Sequence, residues 1–131
     1  MDLKKRKENK KMGIKRFFNS IKYSIDGLKY AYGNEQSLRL HAVGAVFIFI
    51  LAIIFRITFV KWAILIIAIV LVMVIELLNT AIEATVDLVT DEIHPLAKIA
   101  KDCGSAAGGV AGVTLFVVAC VIFFPYIIEL F

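Results

Sequence analysis

Four oxygen-bearing side chains fall at helical spacing inside an apolar stretch of this sequence. Glu76, Asn79, Glu83 and Asp87 recur at steps of three and four residues. Because each residue of an α-helix turns the chain by about 100°, these side chains fall within an arc of roughly 80°. The spacing therefore predicts a ladder of carboxylate and amide oxygens along one helix face.

Glu76 is the member of this ladder that lies deepest in apolar sequence. It lies about 21 Å along a helix that begins at Trp62, and an unpaired carboxylate at such a depth costs at least roughly 2.5–3.5 kcal/mol. No Lys or Arg occurs between Trp62 and Glu83 to neutralise it. A structural carboxylate paired with a buried cation from elsewhere is the alternative, but the sequence favours a functional carboxylate.

The acidic face also indicates a divalent cation, because crowded carboxylates repel one another without one. Mg²⁺ suits such a face, since it takes a few carboxylates together with waters and substrate phosphates. A zinc site is not predicted, because His41 and His94 are isolated in the sequence. Cys103 and Cys120 lie in one apolar run, about 25 Å apart if that run is helical, so they neither bridge nor share a metal.

A second polar group follows the acidic face along the chain. Its lysines suggest a nucleotide polyphosphate, because Lys is a common ligand of phosphate. Glu35 adds a further carboxylate at the start of the first apolar run, where Asn34 is a candidate helix cap. The members of the second group are Asp91, Glu92, His94, Lys98, Lys101 and Asp102.

Three apolar runs must position these residues. Of the 131 residues 60% are hydrophobic, and the mean hydropathy of +0.85 indicates a membrane protein rather than a small soluble domain. We expect an all-α membrane protein with one domain over residues 14–131 and spans at about 36–56, 61–87 and 102–128. The polar segment 88–102 then lies outside the spans, on the cytoplasmic side.

The amino-terminal third differs from the rest in charge. Residues 1–39 carry eleven Lys or Arg against four Asp or Glu, whereas residues 40–131 carry four against seven. This excess predicts an amino terminus that stays in the cytoplasm beside anionic lipid and does not bind nucleic acid. Apolar side chains at three- and four-residue steps predict an amphipathic interfacial helix over about 14–33, after a basic flexible leader, residues 1–13.

Small residues recur in the third apolar run. Gly104, Gly108 and Gly112 are four residues apart, a spacing that lets helix backbones approach closely in lipid. We therefore expect this run to pack tightly in a helix bundle. A phosphate-binding glycine loop is excluded, because neither a preceding strand nor a following Lys-Ser or Lys-Thr pair is present.

The motifs of the acidic face and the second polar group resemble those of the prokaryotic diacylglycerol kinase/undecaprenol kinase family. The resemblance also covers Tyr23, Gly27 and the pair Asn34 and Glu35. It implies a small integral-membrane lipid kinase of the bacterial inner membrane, working as a homotrimer with active sites shared between subunits. The residues that carry it are Glu76, Asn79, Thr80, Ala81, Ile82, Glu83 and Asp87, then Thr90, Asp91, Glu92, His94, Pro95, Leu96, Ala97, Lys98, Ala100, Lys101 and Asp102.

The resemblance also implies roles for individual residues. Glu76 would be the general base for the lipid hydroxyl, with Asn79 supporting it and Asp87 as a further supporting residue. Glu35 and Glu83 would hold Mg²⁺ on ATP. The residues implied to contact the nucleotide are Arg16, Tyr23, Glu35, Glu83, Glu92, His94, Lys101 and Asp102.

The predicted function is ATP- and Mg²⁺-dependent phosphorylation of a membrane lipid alcohol on the cytoplasmic face. The resemblance favours undecaprenol as the substrate, with diacylglycerol as the alternative. A small oligomeric channel is the rival from another class, with the acidic face lining a pore. The polar face occupies only one end of the second span, whereas a pore needs polar or small residues across the whole membrane, so the kinase is preferred.

Overall fold

The computed structural model describes residues 13–92 and 94–130, and within them all regular structure is helical. The expected all-α architecture is therefore confirmed. Except for Gly13, the predicted flexible leader lies outside the described residues. The four helices are α1 (Gly13–Asn34), α2 (Gln36–Ile54), α3 (Phe59–Val89) and α4 (Pro95–Ile128).

Helix α1 forms a structural unit of its own. Its apolar stripe is exposed, and the rings of Phe17 and Phe18 meet edge to face with centroids 5.9 Å apart. Asn34 does not cap α2 as expected: its side-chain amide donates to the carbonyl of Tyr30 at 2.8 Å and closes α1 instead. The predicted helix over 14–33 is confirmed, while its interfacial position stays a prediction.

Helices α2, α3 and α4 are each long and apolar enough to cross a membrane. The prediction of three spans is thereby confirmed. Their outer faces are apolar and exposed, as with Ile67 at 67% and Phe116 at 69%, which suits contact with lipid.

Helix α4 begins earlier than the predicted bound at residue 102. Pro95 occupies the first turn, where its missing N–H costs nothing, and Nδ1 of His94 accepts the N–H of Leu96 at 3.2 Å. The second half of the polar segment 88–102 is therefore helical, and the predicted bound at residue 102 marks only where the apolar part of α4 begins. The 34 residues of α4 make about 51 Å of helix, well beyond the roughly 30 Å of a bilayer core.

A tight turn joins α2 to α3. Phe55 caps α2 by donating its N–H to the carbonyl of Leu51 at 2.9 Å, which ends the helix two residues before the predicted bound at 56. Arg56 has a left-handed backbone with φ of 48°. Thr58 then precedes the first turn of α3, so the two helices run antiparallel.

Helix α3 packs against both α2 and α4. Ala45 and Ala52 of α2 are buried, and their small side chains let α2 approach Leu65 of α3, which is also buried. Ala111 and Leu115 extend this core along α4. Because lipid supplies no hydrophobic drive between helices, such close van der Waals packing is what holds them together.

Candidate active site

Glu76 lies in the middle of α3 and is 4% exposed. The hydroxyl of Ser37 donates to its Oε2 at 2.6 Å, and Nδ1 of His41 lies 3.4 Å from its Oε1. Ser37 and His41 are four residues apart on α2, so both project from one face of that helix. The two oxygens of this buried carboxylate therefore face two polar side chains of a neighbouring helix.

The glycines of α4 form the surface behind these side chains. A Cβ at Gly108 would come within 2.8 Å of Oε1 of Glu76, and one at Gly112 would lie 3.0 Å from Nε2 of His41. A Cβ at Gly104 would overlap the side-chain oxygen of Asn79. Gly104, Gly108 and Gly112 therefore permit close packing, as predicted. The groups that pack against them are polar side chains of α2 and α3.

Asn79 lies between Glu76 and Glu83 on the acidic face and is bonded to Glu83. Its Nδ2 donates to Oε1 of Glu83 at 3.0 Å, while its Oδ1 is buried against α4 without a hydrogen-bond partner among the described residues. Thr80 donates to the carbonyl of Glu76 at 3.0 Å. These bonds fix the side chains along one turn of α3.

A cavity of about 400 Å³ opens in front of Glu76. It brings together four of the predicted site residues, Glu35, Glu76, Asn79 and Glu83. Ser37 and His41 also line it, although nothing in the sequence indicates that His41 lies beside a carboxylate. The remaining lining residues are Ser105, Gly108, Gly109, Gly112 and Val113.

A second cavity of about 380 Å³ lies where α3 ends and α4 begins. Lys101 donates to Asp87 at 2.5 Å, and Lys98 pairs with Asp102 one helical turn away. The ladder of α3 is thus divided, with Asp87 in this cavity and its other members in the first. The lining comprises Val86, Asp87, Thr90, Asp91, Glu92, His94, Ala97, Lys98, Lys101 and Asp102.

The donor set suits Mg²⁺, although the described residues contain no cluster of three or more acidic, His or Cys ligands that would hold a metal alone. Glu35 and Glu83 line one cavity with the amide of Asn79. Mg²⁺ binds through one or two carboxylates and completes its shell with waters and phosphate oxygens, so it does not need a full protein cage. Two carboxylates on a shared cavity fit that requirement.

Two predicted nucleotide contacts lie on α1. Arg16 is exposed and Tyr23 is half-buried, and both belong to the separate structural unit that contains α1. Their assignment to the nucleotide site stays a prediction.

An apolar groove of about 430 Å³ runs between α2 and α4. It shares Gly112 with the cavity in front of Glu76 and extends away from it toward Ile127. Its lining is hydrocarbon and aromatic, including Phe47, Leu51 and Phe116. A polar cavity with a deep carboxylate therefore lies next to an apolar groove, and Gly112 borders both.

Comparison with known proteins covers both cavities. A family model described as prokaryotic diacylglycerol kinase matches residues 22–123, which excludes Arg16. A diacylglycerol kinase of Helicobacter pylori is 44% identical over 98 residues, 75% of this chain and 77% of the relative. The undecaprenol kinase of Bacillus subtilis is 37% identical over 112 residues, which are 86% of this chain and 91% of the relative. A diacylglycerol kinase of Escherichia coli is 33% identical over 118 residues, which are 90% of this chain and 97% of the relative.

Proposed function

We propose that this chain, which belongs to the prokaryotic diacylglycerol kinase family and is a multi-pass membrane lipid kinase, phosphorylates undecaprenol with ATP at the cytoplasmic face of the bacterial inner membrane. The observation that carries the proposal is Glu76, a buried carboxylate bonded to Ser37 that opens onto a cavity with two more carboxylates. A base at this depth suits an acceptor hydroxyl that is itself held in the membrane.

In the proposed reaction Glu76 is the general base. It accepts the proton of the lipid hydroxyl as that oxygen bonds to the γ-phosphorus of ATP, and the bond from phosphorus to the bridging oxygen of ADP breaks. Phosphoryl transfer needs in-line positioning and charge neutralisation more than covalent chemistry, so one base and an ordered charge environment suffice. Asn79 is the proposed supporting residue: it lines the same cavity as Glu76 and holds the carboxylate of Glu83 one turn away.

Glu35 and Glu83 are the proposed Mg²⁺ ligands, since both line the cavity that Glu76 enters. The bound ion would neutralise charge on the transferring phosphate. The cavity between α3 and α4 is the proposed nucleotide site, because it gathers Lys101, Asp102, Glu92 and His94 beside Asp87. Arg16 and Tyr23 of α1 complete the proposed nucleotide contacts.

The choice of lipid rests on the relatives and on the apolar groove. An undecaprenol kinase is among the relatives, 37% identical over 112 residues, and this supports undecaprenol as the first candidate. Diacylglycerol is the second candidate, favoured by the 44% identity to the Helicobacter pylori enzyme. In either case the tail would lie in the groove that meets the polar cavity at Gly112.

The proposed assembly is a homotrimer with active sites shared between neighbouring subunits, and the proposed orientation keeps the amino terminus in the cytoplasm. The orientation is supported by the basic charge of residues 1–39. Membership of a lipid kinase family removes the reason for considering a channel.

A direct assay tests the substrate. Purified protein in detergent micelles would be given labelled ATP and Mg²⁺ with undecaprenol or diacylglycerol at equal mole fraction, and product formation would be followed. Faster turnover of undecaprenol is expected. Faster turnover of diacylglycerol would replace the first candidate with the second.

The base assignment is tested by Glu76→Gln in the same assay. The amide has the shape of the carboxylate but cannot take the proton, so turnover should fall at least about 10²-fold with both lipids. Glu129→Gln is the matched control, because Glu129 caps the opposite end of α4 and is exposed. Unchanged turnover in folded Glu76→Gln protein would overturn the proposed role of Glu76.

A further inference from the structure

We infer that His41, acting together with Ser37, is a positioning residue that fixes the Glu76 carboxylate for proton abstraction. The inference rests on the proposed role of Glu76 as the base. It adds a requirement on α2, a helix whose apolar sequence gives little sign of a role in catalysis.

Contacts on both carboxylate oxygens support this role. Ser37 donates to Oε2 at 2.6 Å, and Nδ1 of His41 faces Oε1 at 3.4 Å. Nδ1 is buried and has no hydrogen-bond partner among the described residues, so the Glu76 carboxylate is the acceptor it faces. A carboxylate has about four lone-pair positions, and two polar neighbours on α2 leave the others directed to the cavity.

Burial makes these contacts important. The Glu76 side chain is 5% exposed and the His41 side chain 26%, so the carboxylate has lost most of its water while the imidazole still borders the cavity. A buried charge must recover its lost hydration from fixed polar groups. The Ser37 hydroxyl supplies such a group at Oε2, and Nδ1 of His41 lies near enough to Oε1 to supply a second one, which would also fix the plane of the carboxylate.

Helix α4 restricts the imidazole from behind. A Cβ at Gly112 would already be 3.0 Å from Nε2 of His41, and a Cβ at Gly108 would be 2.8 Å from Oε1 of Glu76. Both side chains therefore lie against bare backbone, with little room to retreat from each other. The pair is held between α2, α3 and α4, which is the geometry required of a positioning contact.

The test compares three substitutions of His41. His41→Asn keeps a nitrogen donor at the position of Nδ1, His41→Gln moves the donor to the position of Nε2, and His41→Ala removes both. We expect His41→Ala and His41→Gln to lower kcat about 10- to 100-fold, while the KM for ATP and for the lipid stays within about twofold. His41→Asn should recover most of the lost kcat.

Ser37 provides an independent check on the other oxygen. Ser37→Ala should lower kcat in the same range, and Ser37→Thr, which keeps the hydroxyl, should recover it. A merely structural role would make folding and both KM values track the loss of side-chain volume, and would not separate Asn from Gln. Size-exclusion profiles in detergent identify any variant that fails to assemble, in which case the Asn and Gln variants decide.

The outcomes separate this inference from the proposed function. Loss of activity in Glu76→Gln together with unchanged kcat in His41→Ala and His41→Gln would overturn the positioning role alone. Equal activity of His41→Asn and His41→Gln would do the same. Activity retained by Glu76→Gln would instead overturn the proposed base.

Discussion

The carboxylate of Glu76 lies directly against the backbone of Gly108, so closely that a Cβ at position 108 would come within 2.8 Å of Oε1. A glycine spacing that is typical of helix association therefore has a second use in this chain. It allows a charged side chain of α3 to lie between helices without forcing them apart. Gly108 has an ordinary helical backbone, so its backbone angles do not require glycine. Glycine is required because the Glu76 carboxylate leaves no space for a side chain.

Gly108→Ala should displace the Glu76 carboxylate, because the new methyl group and Oε1 cannot both keep their positions. A shift of about 1 Å at a catalytic group lowers turnover by about 10²-fold. The measurement is kcat for lipid phosphorylation in micelles. Gly109→Ala is the matched comparison, since Gly109 lines the same cavity but a Cβ there meets nothing within 4 Å and does not press on Glu76. Equal losses in the two variants would show that the effect is not due to Glu76.

Removal of either proposed metal ligand should raise the Mg²⁺ requirement. Glu35→Gln and Glu83→Gln each lose one carboxylate from the cavity in front of Glu76, and oxygen charge is what holds Mg²⁺. We expect the Mg²⁺ concentration for half-maximal activity to rise at least about 10-fold. A Mg²⁺ titration at fixed ATP measures it, with Glu129→Gln as control. An unshifted titration for both variants would contradict the assignment.

Lys101 should be needed for ATP more than for the chemical step. It donates to Asp87 at 2.5 Å in the cavity between α3 and α4, the proposed nucleotide site, and Lys is a common ligand of phosphate. Lys101→Met should raise the KM for ATP about 10-fold or more, with a smaller change in the KM for the lipid. Because the ion pair is exposed, the thermal midpoint should move little.

Lys61→Met is a charge-matched comparison for Lys101→Met. Lys61 lies in the first turn of α3, where its Nζ donates to the hydroxyl of Tyr126 at 3.1 Å and lies 4.3 Å from the ring centroid. Its loss should reduce stability and leave the KM for ATP unchanged. The assignment of Lys101 fails if both variants change the KM for ATP equally.

Replacing Arg56 by glycine should leave the protein more stable than replacing it by alanine. Its φ of 48° is a left-handed conformation that costs an L-residue roughly 1–2 kcal/mol, whereas glycine adopts it freely. We expect Arg56→Gly to exceed Arg56→Ala in the free energy of unfolding by about 1 kcal/mol. Denaturant titration in micelles measures the difference, and both variants should keep full activity. Equal unfolding free energies would contradict the expected strain.

Much of the site could be predicted because it lies on one helix. The spacing of Glu76, Asn79 and Glu83 places them on one face of α3 whatever the rest of the chain does, and the structure finds all three on one cavity. The sequence did not predict that α4 begins as early as Pro95, because hydropathy marks only the apolar part of a helix, here from about residue 102. A helix with a proline in its first turn and a cap at His94 can extend beyond the membrane into water.

The class of this protein, its three spans and its acidic face could be predicted without a structure, because hydropathy and helical periodicity are local properties of the chain. That Ser37 and His41 face Glu76, 39 and 35 positions away in the chain, and that Gly108 lies behind it, became clear from the packing of the helices alone. These contacts depend on how far each helix is turned and shifted along its neighbour. Close packing across α2, α3 and α4 sets those rotations, and no spacing within a single helix contains them.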